Sequence, residues 1–215
     1  MKERPMLFKG EMVRALLSGA KTQTRRVMKP QPAFAPHMIS VDGDVTAMWR
    51  EGFGNATQKS PYGNPGDRLW VREAFCISPI FDSCVYRADD EALTRIIGPA
   101  EDSCFRWKPS IHMPRELSRI TLEITDVRVE RLQEISSGDA KAEGIYDRLF
   151  YPCDGYPLSI GYTRHGPEVE RALMHTTPIE PFEELWESIN GEGSWDANPW
   201  VWVISFKPLP PCEEA

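Results

Sequence analysis

Lys21, Thr22, Gln23, Thr24, Arg25 and Arg26 bring an amine, two hydroxyls and two guanidinium groups into six consecutive residues. A threonine hydroxyl becomes a nucleophile when a base takes its proton, and a lysine amine can be that base once its pKa is depressed. Lys21 and Thr24 are the candidate base and nucleophile, with Arg25 and Arg26 as candidate substrate-binding cations. Strict strand alternation would put positions 21 and 24 on opposite faces, so the pairing requires a turn between a helix end and a strand. A lysine just past a helix C-terminus is also favoured there as a plain charge; spacing alone leaves both roles open. Glu143 is a third candidate. It falls in the last turn of a short expected helix, where a carboxylate meets the negative end of the helix dipole and is unfavourable unless a cation is near; Lys21 or one of Arg25 and Arg26 can be that cation. A further set, Trp70, Arg72, Glu73, Trp107 and His112, combines aromatic faces that stack on nucleobases with groups that read their hydrogen-bonding edges.

These residues need elements to position them. Glu11 to Ser18 carries Met12, Val13, Leu16 and Leu17 at helical spacing, and Gly19 is placed to end that helix in a left-handed cap. Arg4 to Phe8 reads as a short strand before it, and Lys21 to Met28 as an extended segment after it, stopped by Pro30 and Pro32. Pro65-Gly66-Asp67 is a turn, and Arg68 to Glu73 alternates as a strand with Trp70 and Arg72 on one face. Trp107 to Pro114 is stiff and non-helical, with prolines at 109 and 114. From Ser118 to Leu132 the apolar parity switches: Ile120, Leu122 and Ile124 share one phase, Val127 and Val129 the other. The switch at Thr125-Asp126 predicts a bulge or sharp bend. Ser136 to Asp139 opens a brief helix with Gly144 as its stop. Pro181 opens another, with Phe182, Leu185, Trp186 and Ile189 as its stripe and Asn190-Gly191 as its end. Trp200 to Phe206 is nearly all apolar and is expected to be a central strand buried on both faces. Three stretches, near 29–63, 77–116 and 146–180, read as irregular insertions, the first with a small hairpin around Val41 to Asp44. Short bent strands with few helices predict an α+β, mainly β fold: one small barrel with flanking helices, within a single domain over 1–215. A doubly wound α/β sheet is excluded by the lack of strand–helix alternation and of a glycine-rich phosphate loop.

The chain has 215 residues, 41% of them hydrophobic and 27% charged, with a formal net charge of -7. That balance opposes a large nonspecific polyanion-binding surface while permitting a small basic pocket. The five cysteines (Cys76, Cys84, Cys104, Cys153, Cys212) form no CxxC pair. With no secretory signal at the start and no apolar run of membrane-spanning length, a cytoplasmic protein with free thiols and no membrane partner is expected. The four histidines (His37, His112, His165, His175) are scattered without ligand spacing, so neither a metal nor another cofactor is expected.

Two stretches carry a resemblance. Leu17 to Arg26 and Pro65 to Glu73 resemble the signature of the ASCH domain family of the PUA-like superfamily. Leu122 to Leu132, Ile135 to Glu143 and Val203 to Phe206 are similar to the rest of its core, in order. The Lys-Thr-Gln-Thr-Arg-Arg run and the Trp107 to Pro114 segment are similar to the longer ASCH proteins of bacteriophages and prophages. The resemblance covers about half of the chain and leaves the three insertions outside. It implies a PUA-like β-barrel with a nucleic-acid-related pocket. It also implies an amidohydrolase acting on N4-acetylcytidine or a related modified nucleoside, with Lys21, Thr24 and Glu143 as the catalytic residues and Arg26 matching a family arginine. On this expectation Thr24, activated by Lys21, attacks the acetyl carbonyl while Glu143 delivers a proton to the departing amine; activation of water by the lysine is the alternative. A noncatalytic RNA- or nucleotide-binding module and a ribonuclease are the other two functions that the resemblance leaves open.

Overall fold

The structure is a computed structural model that describes residues 1–78, 83–89, 106–150, 159–164 and 175–210. In chain order its strands and helices are β1 (Glu3–Leu7), α1 (Gly10–Leu17), β2 (Gln23–Val27), β3 (His37–Val41), β4 (Asp44–Glu51), β5 (Gly54–Lys59), β6 (Arg68–Arg72), β7 (Phe75–Ser78), β8 (Ser83–Tyr86), β9 (Thr121–Arg131), α2 (Ser137–Ala142), β10 (Tyr146–Phe150), β11 (Ser159–Thr163), α3 (Ile179–Asn190) and β12 (Trp200–Pro208). The fold is α+β and mainly β.

The central sheet has five strands in the order β1-β6-β9-β12-β2. β1 runs parallel to β6, and every other neighbouring pair is antiparallel. The sheet lacks the expected barrel closure: among the described residues β1 and β2 are free edges. It curls instead until its edges are one side chain apart, and Arg26 of β2 donates from Nη2 to the carbonyl of Leu7 on β1 at 2.6 Å. Part of the curl is encoded in β9. Ser205 of β12 faces Asp126 while Phe206 faces Ile124, so Thr125 has no cross-strand partner. This is the bulge that the parity switch predicts. It returns Leu122, Ile124, Val127 and Val129 to the same core.

β12 is buried on both faces, as its composition predicts, and its alternation sorts two cores. Trp202, Ile204 and Phe206 join the β1, β6 and β9 side with α1. Val201 and Val203 join Leu132, Ile135, Phe182, Leu185 and Trp186 on the α2 and α3 side. Burying such side chains on both faces of one strand stabilises by roughly 1.5–3 kcal/mol each, which makes β12 the spine of the domain.

The described parts of the insertions are more regular than their composition predicts. Residues 29–63 hold a three-stranded antiparallel sheet, β3-β4-β5, with the expected hairpin at Asp42-Gly43, both at positive φ. Ala47 and Trp49 of β4 are buried in the main core, so the segment is a packed wall and not a surface excursion. Outside it, β7 pairs with β8 and β10 with β11. Cys104, Cys153, Cys212 and His165 lie outside the described residues.

Gly63-Asn64-Pro65-Gly66-Asp67 returns the chain to the core around one carboxylate. Asp67 accepts from the backbone N–H of Lys2 at 2.7 Å and from Arg4 Nη1 at 3.1 Å. Gly63, at φ 112, leaves room for that pair: a Cβ there would lie 2.6 Å from Arg4 Nη1 and 2.8 Å from Asp67 Oδ2.

Candidate functional site

The loop between α1 and β2 is built for a close approach. Gly19 takes φ 76 and ends α1, as predicted. The chain then turns back, so that the N–H of Lys21 bonds to the carbonyl of Ala15 and that of Thr22 to the carbonyl of Ala142. On the other side, Ser136 caps α2 by accepting from the N–H of Asp139 at 3.1 Å. Glu143 closes the helix, and Gly144 follows at φ 100. A Cβ on Gly144 would stand 2.9 Å from Ala15 Cβ and 3.4 Å from Lys21 Cβ. Only a glycine lets the helix end and the loop meet, and there Lys21 and Glu143 form an isolated antiparallel bridge.

Across that bridge the Lys21 ammonium donates to the Glu143 carboxylate Oε2 at 2.7 Å and to the Glu143 carbonyl at 2.8 Å. Both residues are buried, at 1% and 3% exposure. The lysine is thus the cation that a carboxylate at a helix C-terminus needs. Burial lowers the Lys21 pKa from its ordinary value, the Glu143 carboxylate opposes that shift, and Arg26 and Arg25 add to it. Arg25 holds the second carboxylate oxygen, Oε1, at 3.3 Å. Its other nitrogen, Nη2, pairs with Glu130 at 3.1 Å and Asp139 at 3.4 Å, while Nη1 also donates to Gln23 Oε1 at 2.6 Å. Arg128 extends the network to Glu130 and Asp139.

In front of this network lies a cavity of about 440 Å³, a volume that suits a small ligand. Thr24, Arg25, Arg26 and Glu143 supply its polar floor, and Tyr62, Phe182, Trp186 and Trp202 supply aromatic surface. Thr24 is buried and makes no side-chain hydrogen bond among the described residues. Lys21 is not on the cavity wall. Its ammonium bonds to Glu143 and not to Thr24, so the turn between helix and strand delivers a Lys21–Glu143 pair in place of the expected Lys21–Thr24 pair. Arg26 is the cavity arginine without a carboxylate partner among the described residues. Its guanidinium packs over Phe8, 5.3 Å from the ring centre.

The other expected binding residues lie elsewhere. Trp70 is buried, with the guanidinium of Arg72 4.7 Å from its ring centre and that of Arg115 at 6.0 Å. Arg72 also donates to the carbonyl of Met113 at 3.0 Å. The expected base-stacking face is thus covered by the protein's own guanidinium groups. Glu73 is buried in a two-pronged bond to Arg119, at 2.9 and 3.1 Å, and borders a separate cavity of about 770 Å³. Trp107 is half-buried and His112 exposed in a 3-10 turn, Ser110–His112; neither lines the first cavity.

Residues not expected at the site complete the wall: Gln58 and Tyr62 from the 29–63 insertion, and Phe182, Trp186 and Trp202, which were expected only as core. Burial raises the Tyr62 pKa, against the lowering influence of Arg26. The apolar stripe of α3 was legible, but nothing local shows that it covers a cavity. Among the described residues no group of three or more His, Cys, Asp or Glu side chains is arranged to hold a metal ion, and no helix is long and apolar enough to cross a membrane. Comparison with family models, curated proteins and solved structures gave no match.

Proposed function

We propose that the chain is an ASCH-type, PUA-like domain that hydrolyses the amide of an N4-acylated cytidine or a related modified nucleoside. One observation carries the reading. Glu143 is a buried carboxylate on the wall of a ligand-sized aromatic cavity, backed by Lys21 and sharing that wall with the otherwise unbonded hydroxyl of Thr24.

In this reading the Thr24 oxygen adds to the acyl carbonyl carbon and its proton passes to Glu143. Lys21 positions that carboxylate and shares the proton, because its own contact is with Glu143. Arg26 faces the developing oxyanion. The carbon–nitrogen bond then breaks, the proton goes to the departing amino nitrogen, and an acyl ester remains on Thr24. Water adds to that ester, the carboxylic acid leaves, and the hydroxyl is restored. Direct attack by water gives the same products without the ester.

The test is chromatographic release of cytidine from N4-acetylcytidine by the intact protein and by Lys21→Ala. Turnover that disappears in the variant supports the reading; a wild type that leaves the nucleoside untouched overturns it. A mass increment of one acetyl group on Thr24 during turnover distinguishes the two nucleophiles. A noncatalytic nucleotide-binding module is the second reading, favoured by one observation: Arg26 and Lys29 line the cavity and have no ion-pair partner among the described residues. That protein binds the nucleoside and releases nothing.

A further inference from the structure

The second cavity, of about 770 Å³, shares no lining residue with the first, and cations bound it. Lys9 and Arg14 come from the start of α1 and its first turns, Arg87 from a 3-10 turn, Arg87–Asp89, and Arg164 from just past the end of β11. Lys9, Arg14 and Arg87 are exposed and Arg164 is half-buried, so their charged ends are open to a ligand. Two carboxylates share the wall, Glu11 and Glu73. Glu73 is already neutralised by its fork on Arg119.

The protein gathers these cations without discharging them. Lys9 Nζ donates to the carbonyl of Ser188 at 2.9 Å, and Arg164 Nη1 donates to the hydroxyl of the same residue at 3.3 Å. Arg14 Nη1 donates to the carbonyl of Ala88, the neighbour of Arg87, at 3.4 Å. Carbonyl and hydroxyl oxygens fix these side chains but cancel none of their charge. Among the described residues the Arg87 guanidinium has no partner, and the contact of Arg164 with Glu184, at 3.8 Å, is the one ion pair that the four cations make. Four cations against Glu11 and Glu184 leave two positive charges in surplus, in a chain whose formal net charge is -7. A cleft lined by one sign of charge concentrates the opposite sign.

The wall also states what kind of anion fits. Guanidinium groups meet phosphate oxygens in two-pronged, charge-assisted bonds, and a surplus of two charges matches a phosphate monoester dianion. The half-buried Ser110 hydroxyl borders the same space, makes no hydrogen bond among the described residues and is a further donor. Phe8 is the one aromatic side chain on this wall and is only 4% exposed, so the ring surface that the first cavity offers is missing here. The volume is far larger than a bare phosphate and falls among those of small-molecule sites. We propose that the second cavity binds a small phosphorylated molecule through its phosphate group, with Lys9, Arg14, Arg87 and Arg164 around the phosphate oxygens. This site is separate from the first cavity and stands whether or not an amide is hydrolysed there.

The experiment titrates ribose 5-phosphate, ribose and inorganic phosphate into the full chain by calorimetry. Ribose 5-phosphate is expected to bind about tenfold more tightly than inorganic phosphate, and ribose is expected to give no signal. Arg87→Gln and Arg14→Gln are each expected to weaken ribose 5-phosphate binding about tenfold, the size of one lost charge-assisted hydrogen bond. Arg87 is exposed and unbonded among the described residues, so its variant leaves the fold intact. Glu11→Gln removes the opposing carboxylate and is expected to tighten binding about threefold. Lys59→Gln removes an equal charge outside the cavity and is expected to change Kd by less than about twofold. Weakening by Lys59→Gln as large as that by Arg87→Gln overturns the proposal, because net charge then explains the binding. So does an unchanged Kd in Arg87→Gln and Arg14→Gln, or no binding of ribose 5-phosphate at all. Inorganic phosphate that binds as tightly as the ester overturns the assignment to a phosphorylated molecule and makes free phosphate the ligand. Single-stranded RNA that binds more tightly than ribose 5-phosphate, and loses affinity in the same variants, assigns the cations to a nucleic-acid backbone and overturns the small-molecule site.

Discussion

Two arginines, the buried Arg25 and the half-buried Arg119, are each clamped by carboxylates, and they end in opposite states. Arg119 uses all three of its nitrogens: a fork on Glu73, at 2.9 and 3.1 Å, and a fork on Asp89, at 2.7 and 3.0 Å. Its flat face lies 4.0 Å from the ring centre of Tyr86. Burial would lower its pKa, and the bonds to Asp89 and Glu73 raise it instead. Arg25 also holds several carboxylates, but its Nε has no partner among the described residues. The carboxylate it shares with Lys21 opens onto a cavity beside the unbonded Thr24 hydroxyl. Glu73 also borders a cavity, but every guanidinium nitrogen of its arginine is engaged. A network with spare donors next to a cavity can act on something else. The burial of the carboxylates alone does not separate the two, because Glu73 and Glu143 are 2% and 3% exposed.

The hardest way to break this contrast is Lys21→Met. It leaves the buried Glu143 with one cationic partner and should lower stability by about 3–5 kcal/mol, read from the denaturant midpoint. Turnover per folded molecule should fall about a thousandfold or more. Next is Gly144→Ala, which pushes a methyl against Ala15 and Lys21 at a positive φ. We expect a stability loss of about 2 kcal/mol, with turnover reduced about tenfold as the pair shifts. Arg119→Met should also cost about 2 kcal/mol, because Glu73 loses its partner, while kcat/KM per folded molecule stays within twofold. A thousandfold loss there would erase the distinction between the two networks.

The smallest effect tests a third carboxylate that belongs to the fold alone. Burial would raise the Asp67 pKa, but the backbone N–H groups of Lys2 and Asn64 and the side chain of Arg4 hold it below 3.8. A depressed acid stabilises fully above its unfolded pKa and loses that contribution as pH falls through the folded value. The wild type should therefore lose more stability than Asp67→Asn on acidification below pH 3.8, by about 1 kcal/mol. Equal slopes in the two unfolding curves would show that Asp67 carries no such linkage.

What the sequence revealed is what local chemistry encodes. Gly19, Ser136 and Gly144 mark helix ends through φ and capping, and the parity switch at Thr125 encodes the bulge. The apolar run of β12 requires cover on both faces. Glu143 was legible because a carboxylate at a helix end asks for a cation. Its cations, Lys21 and Arg25, come from the expected set of Lys21, Arg25 and Arg26, but Lys21 is 122 residues away, so local pattern could not choose among the three. The same limit hid the claim of Arg119 on Glu73 and the cover that Arg72 and Arg115 lay over Trp70. Alternation gave the correct face for Trp70, but it does not say what packs on that face. Gln58 sits in a six-residue strand rich in small and polar residues, too weak a pattern to reveal the β3-β4-β5 sheet.

The strand order also bears on how the protein is made. Among the described residues β2 has only β12 as a neighbour in the sheet, and the bond between Gln23 and Ser205 joins residues 182 apart. On a ribosome β2 emerges early and has no strand partner among the described residues until nearly all of the described chain has followed. Trp202, a wall of the cavity, arrives in that same last strand. A nascent chain interrupted before β12 therefore has Lys21, Thr24 and Glu143 but lacks both the strand that pairs with β2 and the Trp202 part of the cavity wall.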